Sequence, residues 1–184
     1  SETSSSPIIS TNFNANKLAK EALSKGAKYA IIDDNDYYID NRTILVKNCL
    51  STLQELAKHH RKQLNITVIG ITGTNGKTTT KELIGAVLKE KYKVLITEGN
   101  LNNHIGVPLT LLELRSFHNL AVIEMGASKK GDIKELVDIC LPNYGIITNI
   151  GIAHIEGFGS FNNVLSTKKE LFDYLNENNG TIFC

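Results

Sequence analysis

The residues best suited to chemistry form the segment Gly73-Thr-Asn-Gly-Lys-Thr78, between an apolar stretch and an amphipathic one. Glycines let backbone N–H groups approach phosphate oxygens, and a helix that begins just after them adds partial positive charge. In such a loop Lys77 reaches the β- and γ-phosphates of a nucleotide, and the Thr78 hydroxyl binds Mg²⁺. The sequence therefore predicts an ATP-binding phosphate loop formed by Gly73, Thr74, Asn75, Gly76, Lys77, Thr78 and Thr79.

The spacing of this loop departs from the commonest pattern. G-x-x-x-x-G-K-[ST] places a glycine where this chain has Ile71. A glycine-rich turn without a ligand is the alternative interpretation. An apolar strand, two glycines, a lysine, three threonines and a helix start nevertheless agree with one another, and together they favour phosphate binding.

Further polar residues follow other apolar stretches and are candidates for metal or substrate binding. Glu124 ends an apolar run, where a carboxylate suits Mg²⁺, although a helix-capping or surface acid is the alternative. His154 could bind a metal, yet a lone histidine is more often structural. Asn100, Asn102 and Asn103 could bind substrate or cap the next helix, and capping is the commoner role for any one of them.

Lys168 is the most informative single residue outside the loop. The helix predicted over 164–176 has an apolar stripe on which Lys168 lies, whereas Lys169 points away from it. A buried ammonium is costly, and burial lowers its pKa, so the amine could react with CO₂ to give a metal-binding carbamate. Alternatively it reaches solvent or pairs with Glu124 or Glu156, and the residues alone favour this second interpretation.

The elements needed to position these residues alternate regularly after Asn65. Strands are predicted at 66–71, 94–96, 120–124, 145–148 and 181–184, and helices at 78–90, 107–114, 133–140 and 164–176. This pattern is typical of a parallel α/β sheet covered on both faces, with the polar segments meeting at the carboxyl edge. Helices at 15–25 and 49–63 and strands at 28–32 and 43–46 form a smaller α/β module before it.

We therefore predict a small N-terminal α/β domain, residues 1–64, and a mostly parallel-sheet ATPase domain, residues 65–184. Since the last predicted strand reaches Cys184, we expect the chain to be a fragment truncated at its C-terminus.

The composition and the cysteine spacing argue against a nucleic-acid-binding, a membrane-spanning and a disulfide-bonded protein. The net charge is +1, which provides no basic field for nucleic acid. No apolar run approaches the roughly 20 residues of a membrane span, so membrane insertion is not expected. The three cysteines are scattered without metal spacing, as in a cytoplasmic protein with reduced thiols. A monomer is expected.

Four motifs in order give the chain a specific resemblance. They are GITGTNGKTTTK at 70–81, GNLNNHIGVPLTLL at 99–112, IEMGA at 123–127 and TNIGIAHIEGFGS at 148–160. Together they resemble the Mur ligases, and the second and fourth resemble the MurF type, which joins D-alanyl-D-alanine to a UDP-N-acetylmuramoyl-tripeptide. The match covers most of residues 11–184.

The resemblance implies an ATP-dependent ligase of peptidoglycan synthesis that works through an acyl phosphate. It implies that Lys77 holds ATP phosphates, and that Thr78, Glu124, His154 and Lys168 hold Mg²⁺, with Lys168 carbamylated. It also implies catalytic roles for Lys77, His154 and Lys168, which reverses the structural interpretation of the last two. The N-terminal domain would bind the UDP-linked substrate. Asn100, Asn102 and Asn103 stay candidates for substrate binding on the grounds given above.

Two departures from the MurF pattern are visible. Ser128-Lys129 stands where Asn-His is usual, and a uridine-contacting segment is missing between Ser10 and Thr11. A different Mur-type or folylpolyglutamate-type ligase, a plain NTPase or kinase, and a non-catalytic nucleotide-binding module are the alternatives. We expect residues 1–184 alone to lack ligase activity, because the acceptor-binding regions are not among them.

Overall fold

The computed structural model describes residues 14–151 and 158–183. Contacts divide the chain into two compact units, residues 1–52 and 53–184. The boundary lies within a long helix, twelve residues before the domain boundary predicted above at 64/65. The assignment of functional domains stays a prediction.

The first unit is a small α/β module. A 3-10 turn, Ala15–Leu18, leads into α1, Ala19–Ser24, and strands β1, Ala30–Ile32, and β2, Thr43–Leu45, pair in parallel. A second 3-10 turn, Asn35–Tyr37, lies between the strands. The core consists of Ala19, Leu23, Ala30 and Ile32.

The helix predicted over 15–25 is thus divided into two elements. The Asn14 side chain accepts a hydrogen bond from the Asn16 backbone N–H at 2.9 Å. A side-chain cap of this kind satisfies a free N–H at the start of the turn, and 3-10 geometry is frequent at such helix ends.

The second unit contains a five-stranded sheet, and helix α2, Cys49–Gln63, leads into it. The strands are β3, Thr67–Thr72; β4, Val94–Ile96; β5, Leu120–Glu124; β6, Tyr144–Ile147; and β7, Thr181–Phe183. The helices are α3, Lys77–Lys89; α4, Gly106–Leu112; α5, Asp132–Cys140; and α6, Phe161–Glu177. All strand pairs are parallel in the order β4-β5-β3-β6-β7, which confirms the predicted fold class.

The strand order places β3 at the centre, where the direction of winding changes. After β3 the chain moves outward to β4, returns to β5 beside β3, and then crosses to β6 on the other side. The carboxyl ends of β5 and β6 therefore flank that of β3, with Glu124 opposite Ile71 and Ile147 opposite Thr72. In open α/β sheets this is the position at which ligands bind.

Helix α3 packs against β3, β4 and β5, whereas α5 packs against α4, α6 and β3. Close approach of α3 to the sheet depends on Gly85, because a Cβ there would lie 2.1 Å from the Ile96 Cδ1 atom. No helix within residues 14–151 and 158–183 is long and apolar enough to span a bilayer.

Most predicted elements agree with the structure to within two residues, and α6 is the largest exception. It begins at Phe161, three residues before the predicted start. Ser160 is its N-cap, and its side chain accepts a hydrogen bond from the Asn163 N–H at 3.2 Å. The apolar periodicity that predicted the helix does not include this capping turn.

The buried guanidinium of Arg61 holds the end of α5 in place. It donates to the carbonyl oxygens of Cys140 at 3.1 Å, Leu64 at 3.0 Å and Leu141 at 3.2 Å, and to Asn143 Oδ1 at 3.3 Å. The last carbonyls of a helix have no intrahelical partner, so this side chain satisfies groups that would otherwise be buried without one.

We expect Arg61→Met to lower the free energy of unfolding by about 3 kcal/mol, because several buried carbonyls would lose a charged donor. Urea unfolding measures this change. Arg115→Met is the matched control, since Arg115 also donates to helix-terminal carbonyls but is exposed. Equal effects of the two substitutions would contradict the structural role of Arg61.

Candidate nucleotide and magnesium site

The phosphate loop is a short connection of residues 73–76 between β3 and α3. The strand continues through Ile71 to Thr72, so the usual first glycine of such loops has no counterpart here. Gly76 is the N-cap of α3 with φ +77°, a left-handed conformation that favours glycine. Gly73 has φ +148°, and a Cβ there would lie 2.0 Å from Thr148 Oγ1.

The residues after β6 hold the first half of the loop. The Thr74 N–H donates to the Asn149 carbonyl at 3.1 Å, and the Asn75 N–H donates to Asn149 Oδ1 at 2.9 Å. The Thr148 hydroxyl donates to the Asn75 carbonyl at 2.6 Å. These contacts fix the loop, and they engage the backbone donors of Thr74 and Asn75.

The backbone donors at the start of α3 lack partners in the part of the chain that the structure describes. Within the described residues, the N–H groups of Gly76, Lys77, Thr78 and Thr79 have no hydrogen-bond acceptor, and the first loop-to-helix bond runs from the Thr80 N–H to the Gly76 carbonyl. Unpaired N–H groups at the start of a 13-residue helix form an anion-binding site, supported by the helix dipole. This arrangement suits the phosphates of a nucleotide.

Lys77 is folded over the loop that carries it. Its ammonium donates to the Gly73 carbonyl at 3.0 Å and to the Thr74 carbonyl at 3.1 Å. The charge is therefore held at the loop, where it adds to the attraction for an anion.

Glu124, at the end of β5, contacts the start of α3. It is 1 % exposed, and its Oε2 accepts a hydrogen bond from the Thr78 hydroxyl at 3.0 Å. Its Oε1 accepts one from Asn102 Nδ2 at 2.8 Å, and the Lys81 ammonium lies 3.8 Å from Oε2. A carboxylate beside a hydroxyl at a phosphate-binding loop is the oxygen donor set that Mg²⁺ prefers, so these residues fit the ion.

Residues 14–151 and 158–183 contain no cluster of three or more His, Cys, Asp and Glu side chains of metal-binding geometry. The candidate metal ligands among the described residues are therefore the Glu124 carboxylate and the Thr78 hydroxyl. His154 lies outside the described residues, and its role as a metal ligand stays a prediction.

Lys168 lies on the buried stripe of α6, as its periodicity predicts. It is 3 % exposed, and Val164, Leu171 and Leu175 of the same stripe are also buried. Its Nζ lies 5.9 Å from the Phe158 ring centroid, and no hydrogen bond or ion pair joins it to another described residue. Burial, with a smaller contribution from the Lys77 charge, lowers the pKa of Lys168 to about 8, so a larger fraction of this amine is unprotonated near neutral pH than in an exposed lysine.

The three asparagines after β4, Asn100, Asn102 and Asn103, differ in their hydrogen bonds and exposure. Asn103 Oδ1 accepts hydrogen bonds from the Ile105 N–H at 3.0 Å and the Gly106 N–H at 2.9 Å, which is a capping arrangement at the start of α4. Asn102 is bound to Glu124, and Asn100 is exposed. Binding of substrate by these three residues stays a prediction.

The Ser128-Lys129 segment forms an ordered turn before α5. Asp132 Oδ2 accepts hydrogen bonds from the Ser128 N–H at 2.8 Å and the Lys129 N–H at 3.0 Å. The Glu170 carboxylate, two residues from Lys168, accepts bonds from the Gly131 N–H at 3.0 Å and the Lys134 N–H at 2.8 Å. The start of α5 is thereby tied to the helix that carries Lys168.

Lys81 is a functional candidate that the motif interpretation missed. It is fully buried, and its ammonium donates to the Thr97 carbonyl at 2.7 Å and the Gly99 carbonyl at 3.2 Å. Its spacing could have revealed it, because Lys81 lies four positions before Gly85, and both are on the buried face of α3.

Comparison with known proteins supports a single family. The Mur ligase middle domain matches residues 71–184. The UDP-N-acetylmuramoyl-tripeptide--D-alanyl-D-alanine ligase of Bacillus subtilis is 38% identical over 179 residues, covering 96% of this chain and 39% of that protein. The chain thus spans about two fifths of the length of this curated relative.

Solved structures give the same result. A crystal structure of MurF from Acinetobacter baumannii has a TM-score of 0.83 at 36% identity, covering 90% of this chain and 37% of that one. MurF from Thermotoga maritima in complex with ADP has a TM-score of 0.82 at 35% identity, covering 90% and 39% of the two chains. A middle-domain match over 114 of 184 residues, together with these structural similarities to MurF, shows that the chain belongs to the Mur ligase family.

Proposed function

We propose that the protein to which this chain belongs is an ATP-dependent ligase that adds D-alanyl-D-alanine to a UDP-N-acetylmuramoyl-tripeptide. The observation that carries the proposal is the contact between Thr78 and Glu124 at the free N–H groups of the α3 start. Similarity to ligases named for this reaction supports the choice of substrates. The ADP bound in the Thermotoga maritima relative supports a nucleotide at the phosphate loop.

In the proposed reaction, a carboxylate of the tripeptide attacks the γ-phosphorus of ATP in line, which gives an acyl phosphate and ADP. The amine of D-alanyl-D-alanine then attacks the acyl carbon, and phosphate leaves. The chain's own contribution is positioning and electrostatic stabilisation, since negative charge spreads over the transferred phosphoryl oxygens during the first step.

Each residue of the site has a defined part in this proposal. The N–H groups from Gly76 to Thr79 bind the phosphates, and Lys77 exchanges its two loop carbonyls for phosphate oxygens. Thr78 and Glu124 would hold Mg²⁺, joined by His154 and by a carbamate on Lys168. Bound Mg²⁺ would neutralise charge on the phosphates.

The Lys168 environment supports the carbamate in particular. Its amine is buried, forms no ion pair with a described residue, and has a lowered pKa. It therefore presents an unprotonated nitrogen to CO₂ more readily than an exposed lysine does.

The proposed substrates are nucleotides and a small peptide. We propose a cytoplasmic monomer as the working form.

An assay of ATP-dependent phosphate release by the full-length protein tests the proposal. We expect turnover with UDP-N-acetylmuramoyl-tripeptide plus D-alanyl-D-alanine, and background rates with either substrate omitted. Turnover with single amino acids, or with folate acceptors and glutamate, would instead assign a sister ligase. ATP hydrolysis that is independent of any amine would indicate a plain NTPase. Binding of ADP without turnover would indicate a nucleotide-binding module.

A further inference from the structure

Lys81 occupies an unusual place for a charged residue. Its side chain is 0 % exposed, although it starts from a helix whose neighbouring positions 82 and 83 face solvent. Burial of an ammonium is unfavourable unless it is paired and hydrogen-bonded. The compensation here comes from two carbonyls after β4 and from Glu124 at the end of β5, with the exposed carboxylate of the adjacent Glu82 3.1 Å away on the same helix.

The first contacts of Lys81 are with the chain after β4. The ammonium donates to the carbonyls of Thr97 and Gly99, at 2.7 Å and 3.2 Å, where the loop that carries the asparagines begins. The Thr97 hydroxyl in turn accepts a hydrogen bond from the Glu124 N–H at 2.9 Å. Lys81 therefore fixes the segment that holds the backbone of the site carboxylate.

The second contact is with that carboxylate itself. Lys81 Nζ lies 3.8 Å from Glu124 Oε2, the oxygen that accepts the hydrogen bond from Thr78. The other oxygen is held by Asn102. With Lys81 and Thr78 on the same helix and Asn102 on the loop, both carboxylate oxygens have defined directions.

We propose that Lys81 is a positioning residue that orients Glu124 for Mg²⁺ and couples the phosphate-loop helix to the loop after β4. This inference rests on the proposed function, because it assumes a nucleotide and Mg²⁺ at the loop. Lys81 acts through Glu124 and the two carbonyls rather than by touching the phosphates. Groups of this kind set metal affinity because they fix the orientation and charge of the ligand they contact.

The experiment measures ADP binding to the full-length protein by isothermal titration calorimetry, once in the presence of MgCl₂ and once in the presence of EDTA. The ratio of the two Kd values measures how much the metal tightens nucleotide binding. In Lys81→Met we expect this ratio to fall by about tenfold or more. ADP affinity in EDTA should stay within about threefold of the wild type, because the N–H groups of the loop are unchanged.

Lys89→Met on the same helix is the matched control, since Lys89 is exposed and is the last residue of α3, at the end of the helix opposite to the loop. It should leave both Kd values unchanged. In the full-length protein, Lys81→Met should also raise the Mg²⁺ concentration needed for half-maximal phosphate release by about tenfold.

The possible failures are distinguishable. A wild-type protein whose ADP affinity does not respond to Mg²⁺ would refute the proposed function at this loop. If Mg²⁺ tightens ADP binding in the wild type and tightens it equally in Lys81→Met, only the positioning role is refuted. Far-UV circular dichroism establishes whether each variant folds.

If Lys81→Met does not fold, Lys81→Arg carries the test, because it keeps the charge and changes the geometry. A reduced Mg²⁺ response in the arginine variant supports positioning. An unchanged response, or failure of both variants to fold, would overturn it in favour of a purely structural lysine.

Discussion

Lys168→Met should raise the free energy of unfolding by roughly 3 kcal/mol at pH 7, because the gap between its ordinary pKa of 10.5 and its folded pKa of about 8 measures the cost of burying the ammonium. Methionine fills a similar volume without the charge. Denaturant unfolding in CO₂-free buffer measures the change, since a carbamate would otherwise form on the wild-type amine.

The pH dependence of this effect has a definite sign. Between pH 8 and 10.5 the unfolded chain binds more protons than the folded one at this site, so wild-type stability rises with pH across that window. Below pH 8 both states are protonated and the cost is complete. The advantage of Lys168→Met should therefore be constant below about pH 8 and vanish toward pH 10.5. An advantage that is independent of pH would contradict the buried-charge explanation.

The same position should be indispensable for activity. In the full-length protein we expect Lys168→Ala to lower phosphate release by about 10²–10³-fold, through loss of the carbamate that would bind Mg²⁺. Short-chain carboxylates such as acetate should restore part of the rate by entering the space left by the side chain. Lys169→Met is the control, because Lys169 is exposed and pairs with Asp173. Wild-type rates in Lys168→Ala would remove the carbamate from the proposal.

The second large effect concerns Glu124. We expect Glu124→Ala to lower the free energy of unfolding by about 2–3 kcal/mol, because Thr78 and Asn102 lose their acceptor and the buried Lys81 ammonium keeps only Glu82 as a carboxylate neighbour. Urea denaturation measures the loss. Glu55→Ala, at an exposed position of α2, should change stability by less than about 0.5 kcal/mol.

A double-mutant cycle with Lys81→Met isolates the pairing. If the loss in Glu124→Ala includes the loss of the Lys81–Glu124 charge pair, the double variant should be more stable than the sum of the single effects by at least about 1 kcal/mol. Purely additive effects would show that the two side chains, although 3.8 Å apart, do not depend on each other. Glu124→Gln, which keeps the side-chain size, should be less destabilising than Glu124→Ala.

Features that depend on neighbouring residues were predictable from the sequence. The strand, the two glycines, Lys77 and the helix start are contiguous, so local conformational preferences and periodicity indicate a phosphate loop. The burial of Lys168 follows from the same periodicity within α6. The shift of the α6 start to Phe161 was missed because the Ser160 cap lies outside the apolar pattern.

The tertiary structure alone decided which distant groups meet. Glu124 is 46 residues from Thr78 and 22 from Asn102, and these contacts exist because the strand order places β5 beside β3. The same order brings Asn149 to the loop, where it engages the N–H groups of Thr74 and Asn75. Lys81 belongs to this group as well, since Thr97, Gly99 and Glu124 lie on segments that the fold brings to α3. The sequence by itself thus determined α3 and the glycines and lysine at its start, because helix hydrogen bonds and glycine conformations are local. The bonds from Thr148 and Asn149 that hold the loop, and the side-chain pairing across the sheet edge, depend on strand order and became evident only in the folded chain.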